Sequence, residues 1–328
     1  MKKITLTTCL LILTLQNVWA EGEEETSSTA PAVTQSDVPR VMPTPQQTRI
    51  AGLIERLSTN HAHEIETLEA DGESFLGLFR EAETGDPQGC LILLHGDHGH
   101  PDWPQVVSPL RETLPRHSWC TLAIEIPDMG GRATPVQVAQ TTSEGTSDID
   151  ESIANADAST SAELPNEAQV FARIDAAIAL TQEKGYNQVA YLGYRSGAAY
   201  ALRYAAERGT TSQALVLIDP RSTTALSDFQ LAQNIDRLRL PTLDYYFDRT
   251  NVDARFARQR LAAANKRGNQ RAPYIQIDAL PDTRFDPTGN KRLTQRVWGF
   301  LKQNTLQSNQ RKTLPEFEKS LFYESPLD

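Results

Sequence analysis

Histidine is scarce in this chain and stops early. All six histidines lie in the first part of the 328 residues: His61, His63, His95, His98, His100 and His117. Histidine is the commonest general base for activating a weak nucleophile. The sequence therefore excludes any mechanism that takes an imidazole base from the chain beyond His117.

Positive charge is also in short supply, since 32 lysines and arginines face 42 acidic residues. Two polar stretches hold the acidic excess. Residues 21–37 contain five acids and no base, and residues 128–168 contain eight acids and one arginine. The rest of the chain is close to neutral. With no basic stripe on it, nucleic acid is not an expected partner.

Only one long apolar run is present, and it lies at the start. Lys2 and Lys3 precede an apolar stretch from Ile4 to Leu15, and small residues follow at Val18 and Ala20. This three-part pattern predicts a secretory signal peptide, residues 1–20, cleaved after Ala20. The run is too short for a permanent transmembrane helix, which needs about 20 residues. The mature protein is therefore expected to be soluble and periplasmic, without a transmembrane segment.

The remaining chain is predicted to form one folded domain, residues 48–304. A disordered acidic leader, residues 21–47, precedes it, a disordered acidic insert, residues 129–166, interrupts it, and a tail, residues 305–328, follows it. Strands and helices alternate from residue 90 to 302 after a hairpin around Asp71-Gly72. This order predicts an α/β fold: a mostly parallel sheet, helices on both faces and an antiparallel hairpin at its start. The short connection 221–239 predicts a minimal cap.

Three segments resemble the α/β-hydrolase fold. They are the strand and turn Leu91-Ile92-Leu93-Leu94-His95-Gly96, the strand–elbow–helix of residues 189–198, and the strand start Pro241-Thr242-Leu243. The resemblance covers residues 64–304. The run from His95 to Pro104 and the ending Arg296-Val297-Trp298-Gly299-Phe300-Leu301 more closely resemble an uncharacterised family of secreted bacterial α/β-hydrolase-like proteins, a domain of unknown function. That likeness implies the fold but no activity.

The resemblance breaks at the nucleophile elbow. In the G-x-S-x-G motif the two small residues flank a catalytic serine, because the turn packs a helix tightly against a strand. Here Gly193 and Gly197 flank Arg195. A register centred on Ser196 would place Tyr194 at the crowded position before the tip. The glycine spacing therefore predicts Arg195 at the tip.

The base of the triad is also missing. The family's chain order is serine, acid, histidine, and the loop after the last strand contains no histidine here. Asp248 occupies the place of the acid but has no late imidazole to orient. The sequence predicts a degenerate triad and favours a pseudoenzyme. The remaining catalytic candidates are Ser196, His95, His98 and Asp248.

An arginine above a helix N-terminus favours an anion, because free N–H groups and a guanidinium fork suit carboxylate or phosphate. The expected ligand-binding residues are Arg195, Ser196, Gly197, His95, Gly96 and Asp97. The alternative is internal pairing of Arg195 with Asp97, Asp128, Asp219 or Asp248.

The cluster of His95, Asp97, His98, His100 and Asp102 has enough ligand groups to bind zinc. The spacing matches no helical ligand pattern, and Asp102 before Trp103 and Pro104 suggests a helix N-cap. No metal and no cofactor are expected.

Cys90 and Cys120 begin two strands that are neighbours in this fold. They form either a disulfide, favoured in an oxidising compartment, or two buried thiols.

Three functions are compatible with the sequence. The first is binding of an anionic small molecule or a cell-envelope partner. The second is ester or amide hydrolysis by a non-standard site that uses Ser196 and an early histidine. The third is a structural or scaffolding role in the envelope, expected if Arg195 is buried in an ion pair without a cavity.

Overall fold

The computed structural model describes residues 44–129, 163–209, 212–223, 225–267, 272–279 and 287–309. For residues 287–290 it describes only the backbone. The predicted signal peptide, nearly all of the leader, most of the acidic insert and the tail beyond residue 309 lie outside the described residues. Among the described residues, no helix combines the length and the hydropathy needed to cross a membrane.

Eight strands form one sheet in the order β1-β2-β4-β3-β5-β6-β7-β8. The strands are β1 (Ile65–Ala70), β2 (Glu73–Arg80), β3 (Gly89–Leu94), β4 (Trp119–Ile124), β5 (Val189–Tyr194), β6 (Leu215–Ile218), β7 (Thr242–Phe247) and β8 (Tyr274–Ala279). The strand β2 pairs antiparallel with β1 and β4, and the other neighbours pair in parallel. The predicted mostly parallel sheet with an antiparallel hairpin is confirmed.

Seven helices of the described chain cover the two faces of the sheet. They are α1 (Gln46–Ser58), α2 (Val107–Thr113), α3 (Glu167–Glu183), α4 (Ser196–Arg208), α5 (Asp228–Arg237), α6 (Asn251–Asn265) and α7 (Pro287–Asn304). The helices α3 to α6 contribute to one hydrophobic cluster, and α1, α2 and α7 contribute to the other. The central strands β3, β4, β5 and β6 are buried throughout. Covering on both faces explains why these strands are almost continuously apolar.

One local expectation was wrong, and the structure adds detail at two other places. The helix α2 begins at Val107 and not at Trp103, and Asp102 caps no helix, because its carboxylate accepts from the buried Arg111. The connection 221–239 contains α5, whose first turn is closed by a capping box. Leu164, near the end of the predicted insert, is buried in the core.

Cys90 and Cys120 face each other across the parallel pair β3–β4 and are joined by a disulfide, with their Cα atoms 4.4 Å apart. Both residues are fully buried. The bond spans 30 positions of the sequence and fixes two central strands to each other. It constrains the unfolded chain more than the native sheet, which already holds these strands together.

Removing this disulfide is expected to lower the free energy of unfolding by about 3–4 kcal/mol in the chain-entropy model. Urea unfolding of the oxidised protein, with and without reductant, measures the effect. The Cys90→Ala/Cys120→Ala double variant is the control, because reductant should not change its stability further. Two reactive thiols in the denatured, unreduced protein would contradict the bond.

Candidate functional site

The carboxyl ends of the parallel strands form one edge of the sheet, where ligands bind in open α/β folds. At this edge Arg195 links β5 to α4 with φ 54° and ψ −118°. A positive φ is uncommon for a residue with a side chain and costs on the order of 1–3 kcal/mol. Arg195 therefore occupies the strained tip of a strand–turn–helix elbow, as the glycine spacing predicts.

Two close backbone approaches hold the elbow in this shape. A Cβ atom on Gly193 would lie 2.5 Å from the amide nitrogen of Ala198, and one on Gly197 would lie 2.5 Å from the carbonyl oxygen of Leu94. No side chain fits at either distance. The register with Arg195 at the tip is therefore fixed by the packing of α4 against β3 and β5.

Gly197→Ala is expected to lower the free energy of unfolding by at least about 2 kcal/mol, since the new methyl group meets backbone that cannot retreat. Gly299→Ala is the matched control: a Cβ atom there meets nothing within 4 Å. In the helix α7 that change should stabilise by up to about 1 kcal/mol. Urea unfolding measures both variants, and equal effects would contradict the elbow geometry.

The side chain of Arg195 is 49% exposed and turns toward Asp219, with Nε 3.5 Å from Oδ2. Asp219 is buried and already accepts from Arg221 Nη2 at 3.1 Å and from Arg249 Nη1 at 3.0 Å. We call Arg195, Arg221 and Arg249 the arginine cluster. Of the four aspartates considered as partners, the structure selects Asp219. The contact is longer than a hydrogen bond and leaves half of the Arg195 side chain open to solvent.

Sequence reasoning missed Arg221 and Arg249. Arg221 lies three residues after Ile218, the last residue of β6, and Arg249 lies two residues after Phe247, the last residue of β7. The rule that selected Asp219 and Asp248 at these strand ends would also have selected the two arginines. They matter because they satisfy the carboxylate that would otherwise neutralise Arg195.

Ser196 is turned into the protein. It is 3% exposed, and its Oγ accepts a hydrogen bond from the backbone amide of Asp97 at 2.6 Å. Gly96 lies beside the elbow, because a Cβ atom on it would be 3.2 Å from the Cβ of Arg195. The structure thus brings the 95–97 turn and the 195–197 elbow together, as expected, but it uses Ser196 to join them.

His95 is buried and both of its ring nitrogens are engaged. Nδ1 donates to the carbonyl of Gly96 at 2.7 Å, and Nε2 accepts from the amide of Ile126 at 3.1 Å. Burial lowers the pKa of His95 to about 4. The ring is therefore neutral near pH 7, and neither nitrogen points to Ser196 as a free base.

This buried imidazole makes stability depend on pH. Its pKa lies below the ordinary histidine value of 6.5, so the unfolded chain binds the proton more readily. The stabilisation is complete above about pH 6.5 and is lost as the pH falls toward 4, by about 3 kcal/mol in total. Unfolding free energies at pH 7 and pH 4 should therefore differ less in His95→Asn than in the wild type.

The exposed His63, with 76% of its side chain open to solvent, provides the control variant His63→Gln. This variant should keep the wild-type difference between the two pH values. An equal loss in both histidine variants would assign the pH dependence to other groups.

The histidine–aspartate run that suggested a metal is divided by the structure. His98 lies between Asp97 and Asp128, at 3.5 and 3.4 Å, whereas Asp102 pairs with Arg111 on another side of the loop. Asp97, His98 and Asp128 each contribute one possible ligand atom, and these three atoms lie within 4.8 Å of one another. Arg49 already donates to both oxygens of Asp128, at 2.7 and 2.8 Å. This group is an ion-paired cluster, and its positive partner is a guanidinium.

Asp248, the candidate acid, is exposed just after β7. It lies at the correct strand end, but no imidazole follows it in the sequence. The loop 280–286 that would carry the base lies outside the described residues. The catalytic candidates therefore reach the same edge of the sheet, while Ser196 and His95 are committed to structural hydrogen bonds.

The sheet order, the elbow and the flanking helices define an α/β-hydrolase fold. A dienelactone hydrolase from Anabaena variabilis has the same fold, with a TM-score of 0.51 at 15% identity over 74% of this chain and 100% of that chain. Est1E from Butyrivibrio proteoclasticus with bound ferulic acid has a TM-score of 0.48 at 13% identity, over 73% of this chain and 98% of that chain. An esterase from Pyrococcus furiosus has a TM-score of 0.49 at 12% identity, over 74% of this chain and 90% of that chain.

The family model described as "Protein of unknown function (DUF3530)" matches residues 2–303. The chain belongs to this family. No curated protein matches it.

Proposed function

We propose that this chain is an exported binding protein that holds an anionic group on Arg195 and does not act as a serine hydrolase. The observation that carries the proposal is the half-exposed guanidinium of Arg195 at the elbow tip, beside a carboxylate that two other arginines already satisfy. The predicted signal peptide supports export to the periplasm.

Charge balance favours an anion at this point. Asp219 carries one negative charge among three arginines, and Arg221 is also paired with Asp253. One positive charge is left over, and Arg195 is the most exposed member of the cluster. The helix α4 begins at the next residue, and its first backbone N–H groups lack partners within the helix. Guanidinium and helix terminus together suit a carboxylate or phosphate.

The hydrolase alternative has less support. An attacking serine needs an adjacent base and access to substrate. Ser196 is buried and accepts from Asp97, and the ring nitrogens of His95 serve Gly96 and Ile126. The scaffold alternative rests on a fully buried Arg195, and that side chain is half exposed.

Binding is expected to depend on Arg195. Acetate or inorganic phosphate should raise the melting temperature of the wild type and leave that of Arg195→Ala unchanged, because a ligand that binds only the native state stabilises it increasingly as its concentration exceeds Kd. Arg116→Ala, which removes an arginine that is 69% exposed near the start of β4, should keep the wild-type response. Equal shifts in all three proteins would show that the anions act without the site.

A fluorophosphonate serine probe tests the hydrolase alternative on the same proteins. No labelling is expected in the wild type, while a known serine hydrolase labels in parallel. Labelling that disappears in Ser196→Ala would establish an activated serine and overturn the proposal.

A further inference from the structure

Two apolar side chains at the site edge are more than half exposed to solvent. Phe229 is 55% exposed and Val252 is 53% exposed, and these are the highest values among the large hydrophobic side chains of the described residues. Single exposed hydrophobic residues are common on soluble proteins. The position of this pair, and not the exposure alone, carries the argument.

Phe229 and Val252 occupy the same place on two neighbouring helices. Each is the second residue of its helix, α5 or α6. Both helices follow parallel strands, β6 and β7, so their first turns lie at the carboxyl edge of the sheet. The two helices pack against each other. The two side chains therefore lie at the edge that carries Arg195.

Short links join both residues to the arginine cluster. Val252 precedes Asp253, whose carboxylate pairs with Arg221. Phe229 follows Asp228, whose Oδ1 accepts from the hydroxyl of Ser222 at 2.5 Å. Because Ser222 is the neighbour of Arg221, one short segment of chain holds the first turns of both helices close to the cationic group.

A cationic point next to exposed apolar surface matches one class of ligand. We propose that the site takes an amphipathic anion, an alkyl carboxylate, with its head on Arg195 and its chain across Phe229 and Val252. The position of the head rests on the proposed function above, and the chain subsite is the new element. The carboxylates that pair with Arg221, Asp219 and Asp253, are already engaged by the arginine cluster.

Chain length separates the two parts of this site. Transfer of each methylene from water to an apolar contact is worth about 0.8 kcal/mol when fully buried, or about fourfold in affinity. On an exposed surface about twofold per methylene is expected. In the wild type, calorimetry with acetate, butanoate and hexanoate, each below its aggregation concentration, should therefore show affinity rising about fourfold at each two-carbon step.

The Phe229→Ser/Val252→Ser double variant should lose this dependence, so that hexanoate binds no more tightly than acetate. Leu306→Ser is the matched control. Leu306 is 52% exposed, but it lies at the opposite edge of the sheet. There its backbone amide donates to the side chain of Gln213, which precedes β6. That variant should keep the wild-type increase. Hexanol, which has the chain without the charge, should bind more weakly than hexanoate in every protein.

The outcomes distinguish the two proposals. If acetate and hexanoate bind equally in the wild type and both need Arg195, the anion site stands and the chain subsite is overturned. An increase with chain length that survives in the double variant also overturns the subsite. If no carboxylate binds at all, the proposed function fails, and the subsite fails with it.

Discussion

The close packing of α4 against the ends of β3 and β5 is the constraint on which the site depends. Gly193 and Gly197 allow backbone to touch backbone, and the connecting residue must then adopt a positive φ. The conformation at the tip is thus set by its neighbours, and its side chain has to point outward. Any residue at this position is presented to the edge of the sheet, so the identity of residue 195 decides which chemistry is available.

With arginine at the tip, the surrounding groups have complementary roles. Ser196 and His95, which could serve catalysis in another arrangement, tie the 95–97 turn to the elbow and to Ile126, just after β4. Backbone groups bond to the Oγ of Ser196 and to both ring nitrogens of His95, which stabilises the turn. Arg221 and Arg249 hold Asp219, and this leaves Arg195 with a weak internal partner. A rigid cationic tip results where a nucleophile would otherwise be.

Local patterns predicted most of the fold because the central strands are apolar throughout and each helix has regular spacing. The elbow register followed from one steric argument about Gly193 and Gly197. Sequence reasoning could not rank the four aspartates near Arg195, since the choice depends on how β6 and β7 are placed beside β5. It missed α5 because a polar connection hid a capping box, and it misread Asp102 because the partner, Arg111, comes nine residues later and is buried.

The arrangement also limits how the proposed anionic ligand can bind. Asp219 is buried and paired with the arginines, so the proposed anion would add to the cluster and not displace this carboxylate. In the proposed mode, binding depends on the excess of one positive charge at Arg195, which a singly charged head neutralises. A weak head contact gives little affinity by itself in water. Selectivity has to come from the remainder of the ligand, and the apolar first turns of α5 and α6 are the adjacent surface that offers it.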